Sequence, residues 1–158
     1  MNLSNNLIVN KSKSLIGLVK IPGDKSISHR SIILGSLSSG ILKIKNFLNS
    51  DDCLATVSAM KLLGADISFD EDQIIINGIG LDGLKQPNDM IDAGNSGTLI
   101  RLLSGILVSQ NFTSTLTGDD SLRKRPMARI IDPLVNCGAH ISSNNHKAPI
   151  VIDKCNGL

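Results

Sequence analysis

The sequence predicts a mixed α/β fold made of two copies of an α-β-α-β-β unit. Apolar residues follow helical spacing and then strand alternation, and this order occurs twice in 158 residues, about 70 positions apart. The dipeptide Gly-Ala recurs at the same place in each copy, as Gly64-Ala65 and Gly138-Ala139. Because a repeated unit buries its apolar face only against other copies of the same unit, we expect the units to stack or to form a ring.

The first unit is predicted over residues 20–79 and the second over residues 91–155, joined by a polar connector at 80–90. Asn49-Ser50-Asp51-Asp52 is typical of a helix N-cap, and each Gly-Ala pair predicts a helix end. The predicted elements of the first unit are a helix at Ser26–Leu37, a strand at Ile41–Phe47, a helix at Cys53–Leu63 and strands at Asp66–Phe69 and Gln73–Asn77. Those of the second are a helix at Ser96–Val108, a strand at Thr113–Thr117, a helix from Pro126 to Asn136 and strands near His140–Ser142 and Pro149–Asp153.

Composition limits the classes of function. Hydrophobic residues make up 41% of the chain and charged residues 19%, which predicts a packed core rather than disorder. Three Phe with no Trp or Tyr disfavour base-stacking nucleic-acid modules. No apolar run approaches the roughly 20 residues of a membrane span. The N-terminus lacks the succession of basic, apolar and small residues that is typical of a signal peptide. Three cysteines without a CxxC pair and three histidines without ligand spacing disfavour a metal site. We therefore expect a cytoplasmic protein that binds neither nucleic acid nor membrane.

Charge is unevenly distributed along the chain. Residues 1–50 carry seven Lys/Arg against one acid, whereas residues 51–93 carry nine acids against two lysines. Residues 94–158 carry seven Lys/Arg against four acids. If folding brings the two basic stretches together, anionic small molecules are the expected ligands. Solvent-exposed faces with no ligand give similar counts.

The first candidate anion site is the helix start at Lys25. A glycine turn delivers Lys25 and Ser26 to a helix N-terminus, where free N–H groups and the helix dipole favour an anion. Arg30 lies four residues after Ser26, on the same helix face. The spacing therefore predicts a phosphate or carboxylate site, with a plainly capped helix as the alternative.

Two further helix starts are predicted to contribute. In Asp92-Ala93-Gly94-Asn95-Ser96-Gly97-Thr98, the two glycines allow close approach of a ligand, and Asn95, Ser96 and Thr98 supply donors. Arg123-Lys124-Arg125 precedes Pro126, so the pattern predicts three cations at the positive end of a helix dipole, which favours a bound anion. The alternative for the segment at 92–98 is a loop that needs glycine only for its turn, and the alternative for the basic run at 123–125 is a solvated loop without a ligand. For the pairs Asp51-Asp52 and Asp119-Asp120, helix capping is preferred over acid/base chemistry.

The segments PGDKSISHR, DAGNSGTLIRLL and LRKRPM resemble the enolpyruvyl transferase family, in order and over almost the whole chain after residue 15. The resemblance favours the members that use shikimate 3-phosphate over those that use UDP-N-acetylglucosamine. The latter have Asn where this chain has Ser26, and a cysteine loop that matches none of its cysteines. The resemblance implies a pseudo-threefold domain, an inside-out α/β barrel, of which this chain holds two units.

The resemblance also implies residue roles. Lys25, the candidate catalytic residue, would contact both shikimate 3-phosphate and phosphoenolpyruvate. Ser26 and Arg30 would bind shikimate 3-phosphate, with no metal or cofactor required. The implied ligands of phosphoenolpyruvate, besides Lys25, are Asn95, Gly97, Thr98, Arg101 and Arg125. Gly97 would also leave room for the inhibitor glyphosate.

Length is where the chain departs from the family. Family members have two domains and act as monomers, and residues 1–14 would pair with the second domain, so residues 15–158 are expected to be part of the first. The chain stops directly after a predicted strand, which predicts a fragment. The family's proton-transfer groups would lie in the other half, so the fragment alone is expected to be inactive and prone to self-association. A non-catalytic anion-binding fragment is the alternative function. A nucleic-acid binder based on Arg123-Lys124-Arg125 is a weaker one.

Overall fold

A computed structural model of the chain describes residues 7–11 and 14–155. Most of the predicted segment 1–14, and the chain end at 156–158, lie outside the described residues. In chain order the elements are α1 (Lys25–Leu37), β1 (Ser39–Lys45), α2 (Asp51–Leu62), β2 (Asp66–Asp70), β3 (Gln73–Ile79), β4 (Ile91–Asp92), α3 (Gly97–Leu107), β5 (Ser114–Thr117), α4 (Asp120–Lys124), α5 (Ala128–Asn136), β6 (Ile141–Asn144) and β7 (Lys147–Ile152).

The strands form two sheets with equivalent topology. One sheet has the order β1-β3-β2 and the other β4-β5-β7-β6, so the strand that follows the first helix of each unit neighbours the last strand. These pairings are antiparallel, and Leu42 opposite Ile76 in the first sheet corresponds to Leu116 opposite Ile150 in the second. The strand β4 extends the second sheet by pairing in parallel with β5.

The repeat is also visible in the burial of α1 and α3. Five buried positions of α1 recur in α3 exactly 71 residues later, and Arg30 corresponds to Arg101 on this offset. The matched pairs are Ser28 and Leu99, His29 and Ile100, Ile32 and Leu103, Ile33 and Ser104, and Ser36 and Leu107. Both helices contribute to one hydrophobic core, which therefore spans the two units.

The two Gly-Ala pairs end equivalent helices, as predicted. Gly64 and Gly138 have φ of 95° and 103°, a region that glycine enters without the steric penalty of a Cβ. The amide of Ala65 donates to the Met60 carbonyl at 2.9 Å, and that of Ala139 donates to the Leu134 carbonyl at 3.0 Å. Each bond spans five residues and satisfies a carbonyl in the last turn of a helix. The sequence repeat therefore encodes a repeated helix C-terminus.

The mixed α/β fold and the predicted α-β-α-β-β order are confirmed, and three details of the prediction are wrong. A short strand, β4, lies at the start of the second unit, where no strand was expected. The helix predicted to start at Pro126 starts at Ala128. The basic run before it lies at the end of a separate short helix, α4. Five residues are too few to show helical periodicity, so the pattern gave no signal for α4.

Several apolar side chains of the first unit are exposed. On α1, Ile27 is 67% exposed and Leu34 is 63% exposed, and the two lie seven residues apart on one helix face. Ile41 on β1 is 70% exposed. Among the described residues, no helix is both long and apolar enough to cross a membrane.

Candidate anion-binding site

The first helix start places Lys25 beside a carboxylate of the next helix. Asp24 caps α1, because its side chain accepts a hydrogen bond from the Ile27 amide at 2.7 Å. The Lys25 ammonium forms an ion pair with Asp52, in the first turn of α2. The preceding turn requires glycine, since a Cβ on Gly23 would lie 1.9 Å from the Asn46 carbonyl oxygen. This close approach fixes the chain at the point where α1 begins.

Ser26 and Arg30 lie together on the exposed face of α1. The Arg30 guanidinium donates to the Ser26 carbonyl at 3.2 Å, as the four-residue spacing predicts. Both residues are exposed, and Lys25 has a side-chain exposure of 49%. Ammonium, hydroxyl and guanidinium thus stand at one end of α1, within reach of solvent and of a soluble anion.

Beneath these charges lies a buried histidine that sequence reasoning did not select. His29 is fully buried, and its Nδ1 lies 2.6 Å from the Thr56 hydroxyl. That hydroxyl donates to the Asp52 carbonyl at 3.4 Å, so it accepts from Nδ1–H, and this ring nitrogen carries a proton. Burial lowers the pKa of His29, with Lys25 and then Arg30 acting in the same direction and Asp52 opposing them. His29 therefore links α1 to α2 as a neutral group.

The second helix start gathers its polar groups around Gly97. Ser96 caps α3 by accepting from the Leu99 amide at 3.2 Å. A Cβ on Gly97 would lie 3.1 Å from Arg125 Nη1 and 3.2 Å from Arg101 Nη1. Two guanidinium groups therefore converge on a residue without a side chain. Arg101 Nε is buried without a hydrogen-bond partner in the described part of the chain, so this cation is incompletely satisfied.

Asn95 connects Arg125 to a carboxylate. The side-chain amide of Asn95 donates to Asp119 at 2.7 Å, and its carbonyl accepts from Arg125 Nη2. Asp119 also caps α4 through its other oxygen, so the preference for capping at Asp119 is confirmed. The Asn95 hydrogen bond lowers the pKa of Asp119, followed by the Leu122 amide and, further down, by the Arg125 charge.

Two predictions about charged residues need correction. Capping does not explain Asp52, because Ser50 occupies the N-cap without a side-chain bond and Asp52 faces Lys25. Arg123 and Lys124 lie in the last turn of α4, where the dipole favours cations, and Arg123 pairs with Asp120 at 2.7 Å. Of the three cations at 123–125, Arg125 is the one that lies beside Gly97.

The structure thus assembles the predicted residues as two clusters. Lys25, Ser26 and Arg30 form one, whereas Asn95, Gly97, Arg101 and Arg125 form the other, with Thr98 partly buried in the first turn of α3. The helices α1 and α3 are neighbours, but no hydrogen bond or ion pair joins the two clusters within residues 7–11 and 14–155. A groove of about 870 Å³ lies elsewhere, lined by Lys20, Lys45 and the turn at 70–72, and contains none of these residues.

Comparison with known proteins identifies the family. The profile of EPSP synthase (3-phosphoshikimate 1-carboxyvinyltransferase) matches residues 9–158, which include both clusters. The chain belongs to the EPSP synthase family. Among curated relatives, the 3-phosphoshikimate 1-carboxyvinyltransferase of Ruthia magnifica is 54% identical over 92% of this chain and 33% of its own length. That of Geobacter sp. (strain M21) is 50% identical over 93% of this chain and 35% of its own.

A solved structure supports the same assignment. EPSP synthase from Acinetobacter baumannii superimposes with a TM-score of 0.82 at 44% identity, covering 87% of this chain and 32% of that one. This chain therefore spans about a third of the length of the EPSP synthases it matches. The family resemblance inferred from the three motifs is confirmed.

Proposed function

We propose that this chain provides substrate-binding residues of an enzyme that transfers the enolpyruvyl group of phosphoenolpyruvate to the 5-hydroxyl of shikimate 3-phosphate. The hydroxyl adds to C2 of phosphoenolpyruvate while C3 takes up a proton, and elimination then releases phosphate. No metal or organic cofactor takes part. The observation that carries the proposal is the convergence of Arg101 and Arg125 at Gly97, in a chain that belongs to the EPSP synthase family.

The electrostatics of the two clusters support this chemistry. Both substrates are polyanions, so bringing them together requires cations that are already aimed at the place where they meet. Two adjacent guanidinium groups repel each other and are stabilised by an anion between or above them. A site of this kind is favoured by phosphate and carboxylate groups and disfavours neutral ligands.

The family resemblance assigns a role to each candidate residue. Lys25 contacts both substrates and is the catalytic residue of this part of the enzyme. Ser26 and Arg30 bind shikimate 3-phosphate. Phosphoenolpyruvate is bound, besides Lys25, by a second set of residues: Asn95, Gly97, Thr98, Arg101 and Arg125. Glyphosate competes for this second set. On the family resemblance, the full-length enzyme is a cytoplasmic monomer.

A phosphorus NMR titration tests the binding part of the proposal. We expect shikimate 3-phosphate to bind the chain, and Arg30→Ala to weaken binding about tenfold, because it removes a charge-assisted hydrogen bond. Lys124→Ala is the matched control, since Lys124 is an exposed cation outside both clusters. Equal binding by both variants would contradict the assignment of Arg30. Turnover of phosphoenolpyruvate by the chain would exclude the alternative, an anion-binding fragment without activity, whereas binding without turnover agrees with both.

A further inference from the structure

Asp119 makes more contacts than helix capping requires. Its Oδ1 accepts from the Leu122 amide at 2.7 Å, which caps α4. Its Oδ2 accepts from the side-chain amide of Asn95 at 2.7 Å. Its own backbone amide donates to the Gly94 carbonyl at 2.9 Å. Asp119 therefore ties the start of α4 to the loop that begins α3.

We infer that Asp119 is a positioning residue, which fixes the Arg125 guanidinium through the side-chain amide of Asn95. The inference rests on the proposed function, because it concerns the phosphoenolpyruvate cluster at Gly97. A carboxylate only accepts hydrogen bonds and a guanidinium only donates them. Asn95 must therefore turn its NH₂ to Asp119 and its carbonyl to Arg125. One carboxylate thus determines the orientation of the amide and, through it, of the cation.

Comparison with the first unit shows the effect of placing the Asn95 amide between a carboxylate and a cation. There the carboxylate of Asp52 contacts the Lys25 ammonium directly, so part of the hydrogen-bonding capacity of this cation is already used. In the second unit Asn95 separates the carboxylate from Arg125, which engages Asn95 through Nη2. Arg125 Nη1 stays beside Gly97, 3.1 Å from the position of a Cβ. The carboxylate thus holds the guanidinium in place and leaves one of its nitrogens directed at the proposed anion site.

The variant Asp119→Asn distinguishes the positioning role of Asp119 from its role as a helix cap. Asparagine is as good an N-cap as aspartate, so its carbonyl still accepts from the Leu122 amide. Its NH₂ then faces the NH₂ of Asn95, and Asn95 must rotate and present a donor to Arg125. We expect phosphoenolpyruvate to bind about tenfold more weakly, because the guanidinium loses its acceptor. The matched control is Asp120→Asn, which removes the same charge from the same helix at a side chain 85% exposed. Its effect on affinity is expected to be below about twofold.

A second measurement needs no ligand. The side-chain NH₂ resonances of Asn95, observed by nitrogen-15 NMR, should shift in Asp119→Asn and remain unchanged in Asp120→Asn. In the parent chain they should also titrate with Asp119 at acid pH, because the Asp119 carboxylate becomes a weaker acceptor for the Asn95 NH₂ as it takes up a proton. A role limited to capping would leave these resonances unchanged.

The two measurements distinguish the inference from the proposed function. If the parent chain binds no phosphoenolpyruvate, the proposed function fails for this chain, and the Asn95 resonances still decide whether Asp119 orients the amide. Unchanged Asn95 resonances in Asp119→Asn would overturn the inference whatever the affinities. Equal affinities of Asp119→Asn and Asp120→Asn for phosphoenolpyruvate, in a parent chain that binds it, would overturn it as well.

Discussion

Lys25 and Asp52 form an ion pair that joins the first turn of α1 to the first turn of α2. The pair holds the ammonium at the helix start and also offers it an anion that competes with a substrate. Because Lys25 is about half exposed, water screens this attraction. The contact is therefore weak enough for a phosphate group to displace it.

Asp52→Asn is expected to strengthen phosphate binding by the chain. Removal of the carboxylate makes the potential around Lys25 more positive, and the loss of the exposed ion pair lowers the free energy of unfolding by less than about 1 kcal/mol. Phosphate titration and urea unfolding measure the two effects. Asp51→Asn is the control, since Asp51 is an exposed carboxylate of the same turn. Weaker phosphate binding in Asp52→Asn would show that the pair positions Lys25 rather than competes for it.

The neutral state of His29 predicts a pH dependence of stability. Its pKa is lowered from 6.5 in the fold, so below pH 6.5 the unfolded chain binds the proton more readily than the folded one. The contribution of neutral His29 to the free energy of unfolding is fully present above that pH and is lost as the pH falls. The slope from this group is at most about 1.4 kcal/mol per pH unit. Urea unfolding between pH 5 and pH 8, a window of about three units that includes pH 6.5, measures this pH dependence.

Two variants isolate the contribution of His29 to this dependence. In His29→Gln the component should disappear from the curve, although the variant is also less stable at every pH because it disturbs a buried site. His140→Gln is the control, because His140 is exposed and should keep the full dependence. A His140→Gln curve that flattens as much as that of His29→Gln would refute the assignment.

The sequence predicted most of the elements and the helix starts at Lys25 and Gly97, because both depend on local chemistry. The Gly-Ala helix ends and the spacing of Ser26 and Arg30 are short-range features, which turn chemistry and helical periodicity reveal. The repeat of about 70 residues is visible because the same local patterns occur twice. The placement of Gly97 in a ligand loop followed from its missing side chain. The helices of nine residues or more left a periodic signal, and the five-residue helix α4 did not.

The contacts between elements were not predictable in the same way. Asp52 and Asp119 both looked like capping residues, and only the fold brings Lys25 and Asn95 next to them. The direction of the Arg125 side chain likewise depends on where α4 ends, which the basic run did not reveal. His29 was seen only as a histidine without ligand spacing, because burial between α1 and α2 is a tertiary property.

Gly97→Ala tests the space beside the two guanidinium groups. The new Cβ would lie within 3.1 and 3.2 Å of the ends of flexible side chains, so Arg125 and Arg101 can move by a few tenths of an ångström and the fold should persist. We expect glyphosate to compete several-fold less well with phosphoenolpyruvate, as fluorescence or NMR competition would measure. Gly105→Ala is the control, because its Cβ would meet nothing within 4 Å on the same helix. Unchanged competition by glyphosate in Gly97→Ala would exclude this residue from the site.

The exposed apolar face of α1 predicts self-association of the isolated chain. Ile27 and Leu34, at 67% and 63% exposure, lie on one face of α1, and burying each against a second copy would contribute about 1.5 kcal/mol or more. Sedimentation velocity should show an average mass that rises with concentration. The double variant Ile27→Gln, Leu34→Gln should shift this rise to concentrations at least tenfold higher. Val135→Gln is the control, since Val135 is an exposed apolar residue on α5. A chain that stays monomeric at all concentrations, or an equal response to the control, would count against this face as the contact surface.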